Sequence, residues 1–515
     1  MSTTQFFIRQ IFPERPGPSG LALVLIIYVL YGIVHALISR MAGPALALDD
    51  VKLNIVTQSL QAGYMGRNPP LFEWLLILVQ QVTGPTLASF VLVKYFWLTL
   101  IGGFSYLTMR EATNDRNWAV LSATSILLIY QIGYNYHQAF THTTALIAMV
   151  AFFWWTLIRL RRKSGIFDFA LLGFALGLGV LAKYSFLAAA LVVFICVLRL
   201  SDWRKALIRP GALVALLIAG IIVLPHLDWV LNENRALSIG IVSSLQGQAA
   251  PYWSRVGEGV PEAVWAIISY GLPFLPILLW AFGRRVITLT ASGPVANLAR
   301  DTTILGAGFL LLAVFLLGMS GMQERYAIAF LFPFTFWAMI NLHKMHHTRG
   351  EIARFVAASV AVAFIIFAIR IVAVVSPGAP FCSKCRQFIP YAPLAEAIGD
   401  AGFSQGTLVG FEDHTAGNLR RLFPAARVLS SHLQTYTPPA TPAQEDKDAD
   451  CWFIWSEDLG PPPPQHIVAS IDPDTVKYVD AVWPKKMRGK IRTTSWTIAP
   501  MNHSPALVSE LCRIH

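Results

Sequence analysis

Apolar positions in this chain come in long runs separated by short polar links as far as about residue 375. Runs long enough to cross a hydrocarbon core of roughly 30 Å fall near 20–40, 87–109, 117–134, 141–159, 167–182, 185–199, 211–231, 262–283, 303–320, 325–343 and 353–375. That pattern predicts a polytopic α-helical membrane protein with about eleven spans. Between the first two runs the pattern changes. From Asp49 to Leu60, the apolar Leu53, Val56 and Leu60 recur at helical spacing among Lys52, Asn54, Thr57 and Gln58, which suits a helix lying in the membrane surface. A Gly/Tyr/Gly turn follows, and Pro69 and Pro70 open a second amphipathic segment, so the first outer loop, 41–86, is expected to hold two interfacial helices.

After Val375 the character shifts again. Pro377, Pro380 and a Cys-Ser-Lys-Cys tetrad lead into a polar region that ends at His515. Short apolar runs at 407–411, 427–429, 451–455 and 466–471 alternate with a helical stretch near 415–422. The expectation is a transmembrane domain over 1–376 followed by a small α/β domain over 377–515. The Pro/Thr-rich piece 436–445 and the prolines 461–464 read as exposed loops.

Composition narrows the class further. Of 515 residues, 55% are hydrophobic and only 13% charged, with a mean hydropathy of +0.54, which excludes an ordinary soluble enzyme. A net charge of +11 would suit nucleic acid if it were concentrated on one surface. Instead the basic residues sit in short links: Arg159, Arg161, Arg162 and Lys163; Arg204, Lys205 and Arg209; Arg284 and Arg285; Lys344 and Arg349. This is the positive-inside pattern, so the bilayer is the expected partner and nucleic acid is not. Residues 1–19 carry Arg9 and Arg15, and no small-residue cleavage site follows the first run, which reads as an uncleaved first helix. Threading from a cytoplasmic N-terminus places the Asp49 loop, the 134–141 link, Lys183, the 232–261 loop, Gln323 to Tyr326 and the C-terminal domain on the outer side.

Of five cysteines, Cys196 lies in an apolar run and reads as packing, whereas Cys382, Cys385, Cys451 and Cys512 fall in the outer domain. Disulfides suit an oxidising compartment, with a zinc site as the alternative; connectivity stays open. His137 and His142 are five apart, which does not stack two ligands on one helix face, so a metal site is the minority reading: no cofactor is required, and a divalent cation stays open without being indicated.

The stretch 48–74 resembles a known signature. Leu48, Asp49 and Asp50, then Gln61 to Tyr64 (QAGY) and Asn68 to Trp74 (NPPLFEW), are similar to the motifs of bacterial integral-membrane glycosyltransferases of the GT-C class, related to protein O-mannosyltransferases and the lipid A aminoarabinose transferase. Gly177 to Ser185 (GLGVLAKYS) resembles that family's Gly-Leu-x-x-Leu-Ser-Lys-Tyr, and Leu224 to Trp229 (LPHLDW) its Pro-x-x-x-Trp-Asn. The likeness runs over roughly 45–340, in the family's order. Departures are Asp50 for a Glu, Asn68 for a His before Pro-Pro, Ala182 for a Ser and His142 for an acid.

The resemblance implies transfer of a sugar from a polyprenyl-phosphate carrier to an envelope acceptor (lipid A, lipopolysaccharide core, another glycan or protein) on the periplasmic face of a bacterial inner membrane, with inversion. Such chemistry needs a base near the acceptor oxygen and cations near the departing phosphate. By the same resemblance Asp49 is the candidate base and Asp50 its support. Arg67, Lys183 and Arg325 are the outer-face cations for the phosphate. Asn68, Glu73, Tyr136, His137, His142, Tyr184 and Tyr326 are the candidates for the substrate cleft. Each has a structural reading beside it. Asp49 is also a preferred helix cap, Lys183 a snorkelling lysine, Arg325 a partner for Glu324, and Tyr136 part of an aromatic belt. A transporter or lipid flippase would share the span pattern, but it usually carries an internal repeat and midplane charges, and neither is evident here. A scaffold would explain the C-terminal domain and leave the Asp49 loop unexplained.

Overall fold

A computed structural model describes residues 19–232, 250–288, 292–375, 385–433, 436–440, 450–486, 490–501 and 511–512. The arginines at 9 and 15 and Cys382 lie outside these residues. The chain forms two compact units: residues 1–33, 65–71 and 95–367, and residues 34–64, 72–94 and 368–515.

Among the described residues, seven helices are long and apolar enough to cross a membrane: Gly20–Ala42, Leu87–Thr113, His142–Lys163, Gly211–Asn232, Pro294–Leu317, Glu324–Lys344 and Arg349–Val374. The pair Ser185–Arg199 and Ser201–Leu207, bent by 112°, makes eight if it counts as one span. The chain is a multi-pass membrane protein. In the first unit His142–Lys163 is buried along most of its length, whereas Gly211–Asn232 leaves Leu213, Leu216, Leu217, Ile221 and Leu224 exposed. Side chains so apolar and so exposed are at home only against lipid.

Two apolar runs are broken rather than continuous. The one at 117–134 forms a helix over Arg116–Ser125, a 3-10 turn over Ile126–Leu128 and a π-helical turn over Gln131–Asn135. The one at 262–283 forms Tyr252–Tyr270 and Phe274–Phe282, parted at Gly271, Leu272 and Pro273. The breaks meet. Tyr130 N donates to Leu272 O at 2.9 Å, and Ile129 bridges Pro273, so backbone groups freed from one helix are taken up by the other, as a low-dielectric interior requires.

The second unit contains a five-stranded sheet: β1 Gly406–Gly410, β2 Arg427–Ser430, β3 Asp450–Trp455, β4 Lys477–Val482 and β5 Thr493–Pro500, in the order β2-β1-β3-β5-β4. β1 pairs in parallel with β2 and β3, and β5 runs antiparallel to β3 and β4. Val409, Leu429, Phe453 and the Cys451–Cys512 disulfide share one core. Cys385 is disulfide-bonded as well. The run at 466–471, expected as one of the apolar strands, instead forms a short helix, Gln465–Val468, entered from Pro464. A proline run that ends in φ near −54° delivers the chain in a conformation suited to a helix start. β4 escaped notice because Lys477, Tyr478 and Asp480 are exposed and only Ala481 is buried; an edge strand need not alternate.

Helix Asp413–Leu422, between β1 and β2, packs on Asp49–Val56. A Cβ on Gly417 would stand 2.4 Å from Val51 O, so this contact admits only glycine. The expectation that Asp49 to Leu60 lies with its apolar face in the membrane surface is therefore corrected. The helix ends at Val56, Leu53 and Val56 are buried within the protein, and Leu60 is exposed. Helical spacing specifies a buried face but not what covers it.

Candidate functional site

Asp49 and Asp50 occupy the first turn of their helix, where the positive end of the backbone dipole favours carboxylates. Neither caps it: the capping position is Leu48, with φ 57° and ψ −131°, and no side-chain cap bond forms. A leucine is rarely held at positive φ, and such strain concentrates at sites where a particular side-chain placement is needed. Asp49 is exposed and Asp50 half-buried. Burial pushes the Asp50 carboxyl above its usual range, Lys94 opposes this, and Asp49 adds to it. Two adjacent acids in unlike surroundings can divide the roles of proton holder and proton acceptor.

The motifs that follow close on themselves. Tyr64 Oη donates to Ser59 O and accepts from Gln61 N, both at 2.9 Å, and Trp74 Nε1 donates to Gln61 O at 2.7 Å. Glu73 is fully buried and acts electrostatically on Tyr64, which burial raises above the usual phenol range. Glu73 is thus an interior acid rather than a solvated one. Arg67 and Asn68 belong to a tight turn, with Asn68 N bonded to Met65 O at 3.3 Å, and Arg67 is exposed at its tip.

In the helical unit, three predicted residues come together. Lys183 follows helix Ile166–Ala182 in extended conformation, donates from Nζ to Thr143 Oγ1 at 3.0 Å, and lies 5.7 Å from the centre of the Tyr326 ring. Arg325, in the first turn of Glu324–Lys344, lies 5.7 Å from the same ring. Glu324 is not its ion-pair partner: the carboxylate accepts from Gln131 Nε2 at 2.7 Å and Trp265 Nε1 at 2.8 Å. Arg325 Nε is buried with no hydrogen-bond partner among the described residues. Tyr184 Oη bonds His226 Nε2 at 2.9 Å, and His226 stacks on Trp229, so the Lys-Tyr and Pro-x-x-x-Trp motifs are joined in space.

Tyr136, His137 and His142 are buried among the helices. His137 Nδ1 bonds Tyr95 Oη at 3.2 Å and His142 Nδ1 pairs with Thr141 Oγ1 at 3.3 Å. Among the described residues no group of three or more His, Cys, Asp or Glu could hold a metal. Sequence reasoning missed Thr143, His226, Gln131 and Trp265. His226 lay within a recognised motif, but the others carry no local signal.

Comparison with known proteins bears on the family and the fold. Residues 67–229 match the dolichyl-phosphate-mannose-protein mannosyltransferase family. The lipopolysaccharide core galacturonosyltransferases RgtA and RgtB of Rhizobium johnstonii are 25% identical over 82% of this chain and 85% of theirs, and 28% identical over 77% and 80%, respectively. ArnT of Cupriavidus metallidurans bound to undecaprenyl phosphate superposes with a TM-score of 0.62 at 12% identity, covering 93% of this chain and 98% of that one. Motifs in family order, a matching fold and relatives aligned along most of the length make this chain similar to glycosyltransferases of the GT-C class.

Proposed function

We propose that the protein is an inverting glycosyltransferase of a bacterial inner membrane. It moves a sugar from a polyprenyl-phosphate carrier to a lipopolysaccharide or related envelope acceptor on the periplasmic side, where the sheet domain also lies. The observation that carries this reading is the placement of Lys183 and Arg325 over one tyrosine ring, with the Arg325 Nε buried and unengaged. Both cations lie 5.7 Å from the centre of that ring, and an oxyanion reached by both would be held by charge-assisted hydrogen bonds. A solved protein of this fold binds undecaprenyl phosphate, and the curated relatives transfer galacturonate to lipopolysaccharide core, which makes a uronic acid the first sugar to test.

In this scheme Asp49 takes the proton from the acceptor hydroxyl as its oxygen attacks the anomeric carbon, and the carrier phosphate leaves onto Lys183 and Arg325, with Arg67 a further outer cation. Asp50 sets the charge beside the base, and Asn68, Glu73 and Tyr184 shape the approach. Tyr136, His137 and His142 support the cleft from within. The deciding experiment is transfer by purified protein from undecaprenyl-phosphate galacturonate to isolated lipopolysaccharide core. A labelled glycolipid product supports the reading, and none with any lipid-phosphate sugar refutes it.

A further inference from the structure

Next to Arg325 the helical unit has an open cavity of about 470 Å³, lined among others by Gln131, Asn135, Gln138, Glu262 and Trp265. Its walls are built with care. Gln131 and Asn135 come from the π-helical turn, a rare element that recurs at functional sites. The turn depends on Gly133, whose Cβ would stand 2.2 Å from Leu127 O. Asn135 Nδ2 donates to Gln131 Oε1 at 3.0 Å, and Gln131 in turn donates to Glu324. Trp265 has its indole N–H fixed on Glu324 while the residue remains 54% exposed, so its ring plane is set and a face is left accessible. Glu262 Oε2 accepts from Met322 N at 2.8 Å, which orients its carboxylate.

Amides, a carboxylate and one held aromatic face are the groups that recognise a polyhydroxylated ring, through hydroxyl hydrogen bonds and contact with its apolar C–H face. A phosphate on Arg325 would be joined through a single oxygen to the anomeric carbon of its sugar, so the ring must lie within a few bonds of the guanidinium. We propose that this cavity seats the pyranose of the donor, with Trp265 along its face and Gln131, Asn135, Gln138 and Glu262 reading its hydroxyls. The assignment rests on Arg325 holding the carrier phosphate, and it makes these five residues determinants of sugar specificity.

The test is binding of lipid probes by full-length protein in nanodiscs. The probes are undecaprenyl phosphate alone and undecaprenyl phosphate bearing galacturonate, glucose, mannose or aminoarabinose. Wild type should bind at least one glycosylated probe more tightly than the bare lipid. Trp265→Phe and Gln138→Ala, the second a change at an exposed side chain, should each weaken that probe about three- to tenfold, the cost of losing one contact, and leave the bare lipid unchanged. Equal loss for both lipids, no loss for either, or no preference of wild type for any sugar-bearing probe would overturn the cavity assignment while leaving the phosphate reading intact. Failure of wild type to bind any of these lipids would instead remove the phosphate reading and, with it, the basis for the cavity.

Discussion

The ammonium of Lys183 lies over the ring of Tyr326 while its Nζ donates to Thr143 Oγ1 at 3.0 Å. A snorkelling lysine needs neither contact; a lysine positioned to meet an anion benefits from both, because they fix its head group before the ligand arrives. Lys183→Ala should raise the KM for the lipid-phosphate sugar about tenfold or more, the range for a charge-assisted contact, with the acceptor KM little changed. Steady-state kinetics with each substrate varied in turn checks this, and an equal rise in both would argue for general loss of structure.

Asp49 and Asp50 make a separable pair. Asp49→Asn should abolish transfer, a loss of at least a hundredfold if the base is removed, with the protein still folded in membranes. Asp50→Asn should leave measurable activity and change stability with pH. Burial raises the folded-state pKa of Asp50 above the 3.8 of a free side chain, so the folded protein holds this proton more tightly than the unfolded chain. Wild type therefore loses stability as pH rises from about 3.8 through the folded pKa, and the asparagine variant lacks that loss. Melting curves of both proteins between acid and neutral pH should diverge, with the variant gaining relative to wild type toward neutrality.

How much of this was legible in the sequence depended on which physical term was local. Helices such as Gly20–Ala42 and Arg349–Val374 announce themselves because uniform apolarity over twenty or more residues has few other uses. The breaks at Ile129 and Pro273 did not, since two interrupted helices are stable only through the hydrogen bond each offers the other. The Asp49 region stood out through its motif, and Lys183 and Arg325 through charge at positions that the threading expects on the outer side. Gln131 and Trp265 were invisible, because glutamine and tryptophan become a binding wall only when Glu324, far along the chain, fixes both.

Arg420 offers a test of the loop's attachment to the sheet domain. It is 8% exposed and donates to Asn54 O, to Thr57 Oγ1 at 3.1 Å, to Thr57 O at 2.8 Å and to Gln80 Oε1 at 3.3 Å. Burial lowers its pKa to about 10, which leaves it charged at neutral pH. Two of those acceptors are carbonyls near the end of helix Asp49–Val56, where a cation complements the dipole. Arg420→Met would keep the volume and strand the acceptors, costing about 2–4 kcal/mol. Activity should fall with it, because the same helix carries Asp49 and Asp50. Denaturation and transfer assays on the variant check both effects, and a stable variant with full activity would show that the loop does not depend on this residue.

The Cys451–Cys512 disulfide bridges 61 positions and sits in the core with Val409 and Phe453. Its surroundings are bonded as well: Met501 N donates to Cys451 O at 2.7 Å, and Arg427 Nη1 to Cys512 O at 2.5 Å. The bridge ties the end of the chain to β3, and its removal would release a long loop in the unfolded state while loosening this core. Cys451→Ala with Cys512→Ala should therefore destabilise the sheet domain by about 2–4 kcal/mol. The helices that hold Lys183 and Arg325 belong to the other compact unit, so binding of undecaprenyl phosphate should survive at temperatures where the sheet domain has melted. Melting followed by tryptophan fluorescence, with Trp452, Trp455 and Trp496 as buried reporters in the sheet, set beside lipid binding across the same temperatures, separates the two. Simultaneous loss would mean that the disulfide supports the whole molecule.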